Sequence, residues 1–433
     1  MDRERVGVFE HEVVGPETEL FLWSTPKFKA TSVRLTMIEP LDHHVATRAL
    51  LTSLLKRGCR SFPDMTKLSR ELERQYGASL GLDVLKIGER HVTNARLRQV
   101  NDRFVGGSGD ALRDGLSLLR EVLLEPVVED DGFRRAEFDQ EQLNLVRAIQ
   151  GLVDDKISWA HQRFVEEMFA GEPYARFEWG SEQEANALDP VSTLAMHRSR
   201  LSTAPMRIYA VGDLADADRA TLREFAAGLV EGRRPDPVAA EPLGPAASPK
   251  TITEELEVAQ SKLHVGYRLS RSPSELSDRE YYALGLMNAV LGGGSGLAKL
   301  FKEVREKRGL AYYAHSSLDR LKGSMVLSAG VLASKWEEAA LVMREQVDAL
   351  RDGDVADEEL DVARATIVNA LESIPDSAAQ TVDFVHAARL TGRPADLATV
   401  RAEVEAVTKE DVVRAAALPE EGLTYCLIGT DEG

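Results

Sequence analysis

The run with the clearest chemical content in this 433-residue chain begins Leu291-Gly292-Gly293-Gly294-Ser295-Gly296. It continues through Phe301-Lys302-Glu303-Val304-Arg305 to a stop at Gly309 and then Leu310-Ala311-Tyr312. Three successive glycines at a helix end remove side chains and let backbone approach something closely. Arg305 offers a planar, permanently charged fork, and Tyr312 an amphipathic ring ending in a hydroxyl. If Tyr312 opens a strand after Gly309, the two side chains can converge on a bound backbone carbonyl. Taken singly, Arg305 reads as a surface helix charge and Tyr312 as a core strand residue. The glycines are not a phosphate loop, because no Gly-Lys-Ser/Thr follows them, and Gly106-Gly107-Ser108-Gly109 fails the same test.

Other chemistries find little support. His43 and His44 are adjacent, so their side chains are expected to point in different directions, and no glutamate follows within a helical turn. His11-Glu12 opens like H-E-x-x-H, but Gly15 stands where the second histidine is required. His91, His161, His197, His264, His315 and His386 occur singly, the pattern of ordinary core or surface residues. Asp154-Asp155-Lys156 reads as a solvated helix end, and no G-x-S-x-G nucleophile motif occurs. Cys59 and Cys426, at opposite ends of the chain, exclude a disulfide framework and a cysteine-rich metal site. A net charge of -18 argues against nucleic acid. It is compatible with basic or neutral peptides, although an acidic surface is more often a solubility feature. Without an apolar signal core or a run of ~18 apolar residues, a cytoplasmic, reduced protein with no membrane contact is expected.

The elements that must hold the glycine–arginine–tyrosine run come in two matching sets. The length suits two domains of roughly 200 residues each. The proline-rich stretch 233–250 reads as a linker between an N-terminal domain, 1–232, and a C-terminal domain, 251–433. In the first half, Ser32–Ile38 alternates as a half-buried strand and a helix follows over Val45–Arg57, with Gly58 as its left-handed stop. A second helix (Lys67–Tyr76), strands near Ala78–Val84 and His91–Leu97, helices over Ala111–Leu124 and Phe133–Val153, and a closing strand at Arg207–Asp213 complete it. The second half replays this order. Lys262–Tyr267 is the strand, Glu280–Leu291 and Leu297–Arg308 are the helices, and Ala311–Ser317 and Ser324–Val331 are the paired strands. Lys335–Leu350 and Asp357–Leu371 are the long helices, and Leu423–Gly429 is the closing strand. A repeat of about 220 residues is too long for a solenoid. The expected fold class is α+β: two homologous domains, each an antiparallel sheet with helices packed on one face.

The run from Leu291 to Tyr312 resembles the pitrilysin/insulinase-like zinc peptidases. In that family a glycine-rich turn, a short helix, an arginine and a tyrosine seven residues later occupy the second domain. The duplicated organisation and Val211-Gly212-Asp213 extend the resemblance over essentially the whole chain. It implies that Arg305 and Tyr312, with Gly292, Gly293 and Gly294, hold a peptide near the scissile bond. Catalytic members carry H-x-x-E-H on the first helix of the first domain, two histidines for zinc and a glutamate to activate water. Aligning Lys56-Arg57-Gly58 with that helix ending puts Ala49, Thr52 and Ser53 at the three positions. None can replace an imidazole ligand or a carboxylate base. The third ligand, a glutamate on a later helix, falls near Ala148. The resemblance therefore implies a chain with no catalytic residues, metal or cofactor of its own and no activity alone. It would be the non-catalytic subunit of a heterodimeric zinc metallopeptidase, positioning peptide for a homologous partner that bears the zinc. The alternative is a structural or peptide-binding scaffold with no role in proteolysis, as in the related core subunits of respiratory complexes. An autonomous peptidase with an unrecognised site has too few ligands to support it.

Overall fold

The computed structural model describes residues 4–106, 110–229, 248–293 and 296–429. The expected linker, apart from 248–250, lies outside the described residues, as does Gly294. The chain forms two compact units: Met1–Gly151 with Arg176–Ala240, and Leu152–Ala175 with Glu241–Gly433.

The first half of the chain contributes β1 (Glu4–Val6), β2 (Phe9–Gly15), β3 (Thr18–Ser24), β4 (Ala30–Pro40), α1 (Val45–Leu54), α2 (Met65–Arg74), β5 (Ser79–Ile87) and β6 (Arg90–Val100). After α3 (Ala111–Leu124) come a two-strand hairpin, β7 (Val128–Glu129) and β8 (Gly132–Phe133), then α4 (Arg135–Gln150) and α5 (Lys156–Met168). The half closes with α6 (Glu182–Asn186), α7 (Pro190–Thr203), β9 (Met206–Gly212) and α8 (Asp216–Gly228). The sheet order in the first unit is β1-β2-β3-β9-β4-β6-β5, antiparallel except for the β3–β9 pair. The alternation of β4 holds over Ser32–Leu35, where Val33, Leu35 and, further on, Met37 share a core with Leu50, Leu51 and Leu54 of α1 and Leu119 and Val122 of α3. The strand is not half-buried throughout, because Thr36 and Ile38 on its other face are buried as well. Gly58 stops α1 differently from expectation. Its φ of 154° is not the left-handed helical conformation, and a Cβ there would lie 2.5 Å from the Phe62 carbonyl oxygen. The constraint is close backbone approach by the following loop.

The second half contributes β10 (Lys250–Glu255), β11 (Ser261–Leu269), α9 (Asp278–Gly292), a π-helical segment over Phe301–Lys307, β12 (Ala311–Asp319) and β13 (Ser324–Val331). Five helices follow: α10 (Trp336–Arg351), α11 (Asp357–Ser373), α12 (Ala378–Thr391), α13 (Leu397–Ala406) and α14 (Lys409–Ala416), then β14 (Pro419–Ile428). Its sheet order is β10-β14-β11-β13-β12, again with one parallel pair, β10–β14. Position for position this repeats β3-β9-β4-β6-β5, so the two units are copies of one α+β topology.

In the second unit β11 and β13 are buried along their whole length, where alternation alone predicts burial of one face. The main helical layer covers one face, with Leu284, Met287 and Leu291 of α9 against Val265, Leu327 and Ala329. Helix α5 covers the other, placing Phe164, Val165 and Met168 in a cluster with Val326, Leu423 and Tyr425. Thus α5 lies within the span 1–232 of the chain yet packs in the second unit. Asp155 starts it as an N-cap, accepting from the N–H groups of Ile157 and Ser158. Gly266 makes room for it, since a Cβ there would fall 2.4 Å from both Met168 Sδ and Phe164 Cζ. Among the described residues no helix is long and apolar enough to cross a membrane.

A buried charge cluster ties α1 and α7 to the first sheet. Arg48 Nε donates to Glu39 Oε1 at 3.0 Å and Arg200 Nε to Glu39 Oε2 at 3.1 Å, while Arg200 Nη2 reaches Thr93 Oγ1 at 2.6 Å. Burial works to raise the Glu39 pKa, but the two guanidiniums hold it below the ordinary carboxylate value. Burial pushes His91 and His197 down to about 4 and His264 to about 3.

Two outcomes follow for stability. Gly266→Leu should cost about 1–3 kcal/mol by overpacking against α5 and open the α5 segment to protease. Unchanged denaturation and digestion would show that α5 does not seat there. Below the ordinary histidine pKa of ~6.5, the unfolded chain takes up protons that the buried imidazoles refuse until pH ~4 or below. Stability should therefore fall between pH 6.5 and 4, by up to about 1.4 kcal/mol per pH unit for each histidine. The Glu39 contribution is lost only at lower pH, so a urea midpoint that is flat from pH 7 to 5 would contradict the histidine argument.

Candidate functional site

Helix α9 starts on a capping box, Ser277 with Glu280, and runs to Gly292. A Cβ on Gly292 would stand 2.5 Å from the backbone nitrogen of Ser316 in β12, and one on Gly293 would stand 2.6 Å from Ala289 Cα. The close approach that these glycines permit is therefore to strand β12 and to their own helix. The chain then re-enters a short helix that is π-helical over Phe301–Lys307, up to its end, a wider turn often found at functional positions. Val304 is fully buried and anchors this segment, leaving Arg305 on its exposed side. Gly309, at φ 60°, ends it in the left-handed conformation, with its N–H on the Arg305 carbonyl at 3.1 Å.

The structure brings Arg305 and Tyr312 together. The guanidinium carbon lies 5.8 Å from the centroid of the Tyr312 ring and 4.9 Å from that of Phe301. Tyr312 is 70% exposed, so it is not a core ring. Its exposure has a local cause: Ala311 pairs with Val331 and Tyr313 with Gly330, so Tyr312 is the extra residue of a bulge, turned out of the sheet. The other cations of the segment have carboxylates: Lys299 and Lys302 with Glu359, Lys307 with Glu303, and Arg308 with Glu345. Arg305 has none among the described residues, and its N–H edge is open to an acceptor. Phe301 was not singled out from the sequence, although its place four residues before Arg305 on a helix is a usable signal.

The positions aligned with a zinc motif cannot hold the metal. Ala49 and Thr52 are buried on α1, and the Thr52 hydroxyl is spent on the Ala49 carbonyl at 2.8 Å. Ser53, half-buried, adds only another hydroxyl. On α4, Ala148 is exposed, and Glu141 is ion-paired with Arg57. Among the described residues no group of three or more His, Cys, Asp or Glu could hold a metal ion. A methyl, an internally bonded hydroxyl and a serine do not fit zinc, so no step through zinc can be assigned to this chain. The expectation for His43 and His44 is corrected: their rings lie 4.0 Å apart, because the loop leading into α1 turns both toward one another. Asp154-Asp155-Lys156 is the helix end expected, exposed at Asp154 and Asp155, with Asp155 as the N-cap of α5.

The chain is a duplicated α+β unit, and no metal-holding cluster is found among its described residues. Residues 193–367 match the family described as Peptidase M16 inactive domain. Over 416 residues, 94% of this chain and 95% of the other, the sequence is 31% identical to the Bacillus subtilis protein named "Probable inactive metalloprotease YmfF". An uncharacterized zinc protease of Streptomyces coelicolor is 28% identical over 51% of this chain and 49% of its own length. Among solved structures, a conserved protein from Enterococcus faecalis superposes with a TM-score of 0.88 at 24% identity, covering 99% of this chain and 100% of that one. The peptidase M16 inactive domain from Pseudomonas fluorescens superposes with a TM-score of 0.80 at 19% identity, covering 98% of each. The chain belongs to the M16, or pitrilysin/insulinase-like, peptidase family, and is a metallopeptidase homologue of its inactive type.

Metal analysis of the purified chain after dialysis should find far less than one zinc per chain and no chelator-sensitive cleavage of peptides. About one tightly held zinc with such cleavage would overturn the reading of Ala49, Thr52 and Ser53.

Proposed function

We propose that this chain is the non-catalytic subunit of a two-chain zinc peptidase, presenting Arg305 and Tyr312 to a peptide whose scissile carbonyl meets zinc on a homologous partner. The observation that carries the reading is the state of Arg305: exposed, without a carboxylate, and held against two aromatic rings. An arginine fixed in place with an unused donor edge is suited to grip a backbone carbonyl, and the Tyr312 hydroxyl can add a second bond. Gly292 and Gly293 bring the end of α9 against β12, next to this pair, and Gly294, outside the described residues, belongs to the same run in the resemblance. Tyr312 also stands at the start of β12, the edge strand of its sheet, where a peptide in extended form can lie alongside. The role in rate is orientation of substrate and stabilisation of charge that develops on its carbonyl, without proton transfer by this chain. The two cysteines are buried free thiols, consistent with a reducing, cytoplasmic setting. A scaffold reading gives the open arginine edge no task.

The test is reconstitution with a zinc-bearing homologue. The two chains should co-elute at micromolar concentration, as an obligate interface of over ~2,000 Å² would require. Arg305→Ala should lower cleavage by the pair roughly ten- to a hundred-fold, the cost of losing a charged hydrogen bond made in the transition state. Tyr312→Phe should cost less, and both should leave assembly and zinc content intact. Wild-type turnover by both variants on several peptides would return the chain to the scaffold class.

A further inference from the structure

The helical layer of the second unit forms a half-open cavity of about 370 Å³ between α9, α11, α12 and α13. That volume falls within the ~300–1,000 Å³ of cavities that take small organic ligands. Its walls are mainly apolar, built from Ile367, Leu371, Phe384, Val400 and Val404. Three polar features converge on it. Arg320, from the turn joining β12 to β13, lies with its guanidinium carbon 4.6 Å from the Tyr281 ring centroid and 3.6 Å from where a Cβ on Gly285 would be. Arg393 lies 4.5 Å from the Tyr281 ring centroid. Asn288 turns a buried Oδ1 that has no hydrogen-bond partner among the described residues.

The two arginines are not equivalent. Arg393 is already paired through its terminal nitrogens: Nη1 donates to Asp278 Oδ1 at 2.6 Å, and Nη2 to the Pro273 and Leu276 carbonyls at 2.7 Å each, while its buried Nε has no hydrogen-bond partner among the described residues. Arg320 makes no hydrogen bond or ion pair among the described residues. Its neighbour Asp319 is turned away, accepting from the Tyr174 hydroxyl at 2.8 Å and from the N–H groups of Leu321 and Lys322 at 2.8 and 2.9 Å. In a chain of net charge -18, a guanidinium stacked beside an apolar cavity without a carboxylate is an uncompensated charge that an anion would complete. Gly285 contributes by having no side chain to displace it.

We propose that this cavity binds an amphiphilic carboxylate, its apolar body among the helices and its anion on Arg320. Two sources carry that chemistry, a medium-chain organic acid and the C-terminal residue of a peptide with an apolar side chain.

The experiment is calorimetric titration of the single chain, which separates it from any failure of the two-chain peptidase reading. The probes are octanoate with octanamide, and N-acetyl-glycyl-phenylalanine with its C-terminal amide. At least one acid should bind, with its neutral amide about ten-fold weaker or more. Arg320→Met should bring the acid down to the level of its amide without changing the melting temperature. Ala388→Leu, which reduces the cavity, should weaken acid and amide alike. Binding of octanoate alone assigns the free acid, and binding of the dipeptide acid assigns a peptide terminus. The proposal fails if neither acid binds at millimolar concentration, or if Arg320→Met binds the acid as wild type does.

Discussion

The second unit depends on one contact, the approach of Gly292 to the backbone of β12 at Ser316. With a Cβ position 2.5 Å from that nitrogen, the end of α9 and the edge strand are as close as main chain allows. Any other residue would push the helix off the strand, because the obstructing atom is backbone and cannot swing aside. That contact fixes where the glycine-rich turn begins and where β12 runs. The π-helical segment between them must then fit a set distance, with Val304 pinned in the core and Gly309 reversing the chain. The meeting of Arg305 with Tyr312 is a product of these constraints and not of any direct bond between them.

Much of this was legible in the sequence, for identifiable reasons. Strand β4 announced itself through Val33, Leu35 and Met37, and α3 through a periodic run bounded at Ala111 and Leu124. The β12–β13 pair followed from the repeat of the first half's order of elements and from Gly309 as a stop. What was not legible has physical causes too. The strands β1 to β3 were passed over, and so was α5, because its partners Val326, Leu423 and Tyr425 are remote in sequence. The π-helical widening leaves no mark in residue type, and the bulge that exposes Tyr312 is visible only once β12 is registered against β13. His43 and His44 show the converse error: adjacency in sequence does not dictate opposite directions when the backbone is irregular.

The two units show how one topology takes on different work. Helices α1 and α9 occupy matching places, each following the strand that lies third in the shared order. In the first unit, Arg48, beside Ala49, is committed to Glu39, which is also held by Arg200. Removing one partner from such a buried cluster leaves an uncompensated charge, a cost of about 3–5 kcal/mol. The neighbourhood of Ala49 and Thr52 is therefore held by structure, with a threonine hydroxyl turned back into its own helix. In the second unit the matching helix ends in glycines, and its interactions serve geometry at the far end.

That division leaves the setting of Arg305 independent of the residues that stand at Ala49, Thr52 and Ser53 in the other copy. A side chain such as arginine carries up to about 2 kcal/mol of rotamer entropy, which a ligand would otherwise have to freeze. Stacking on Phe301 and Tyr312 removes part of that freedom in advance while leaving the N–H edge exposed. An ion pair would order the guanidinium as well, but it would consume the donors and require a carboxylate to be displaced before anything else could bind. Rings order the charge without occupying it. Aromatic neighbours in place of acidic ones set Arg305 apart in a segment where Lys299, Lys302, Lys307 and Arg308 all have carboxylates, and they leave its donors uncommitted among the described residues.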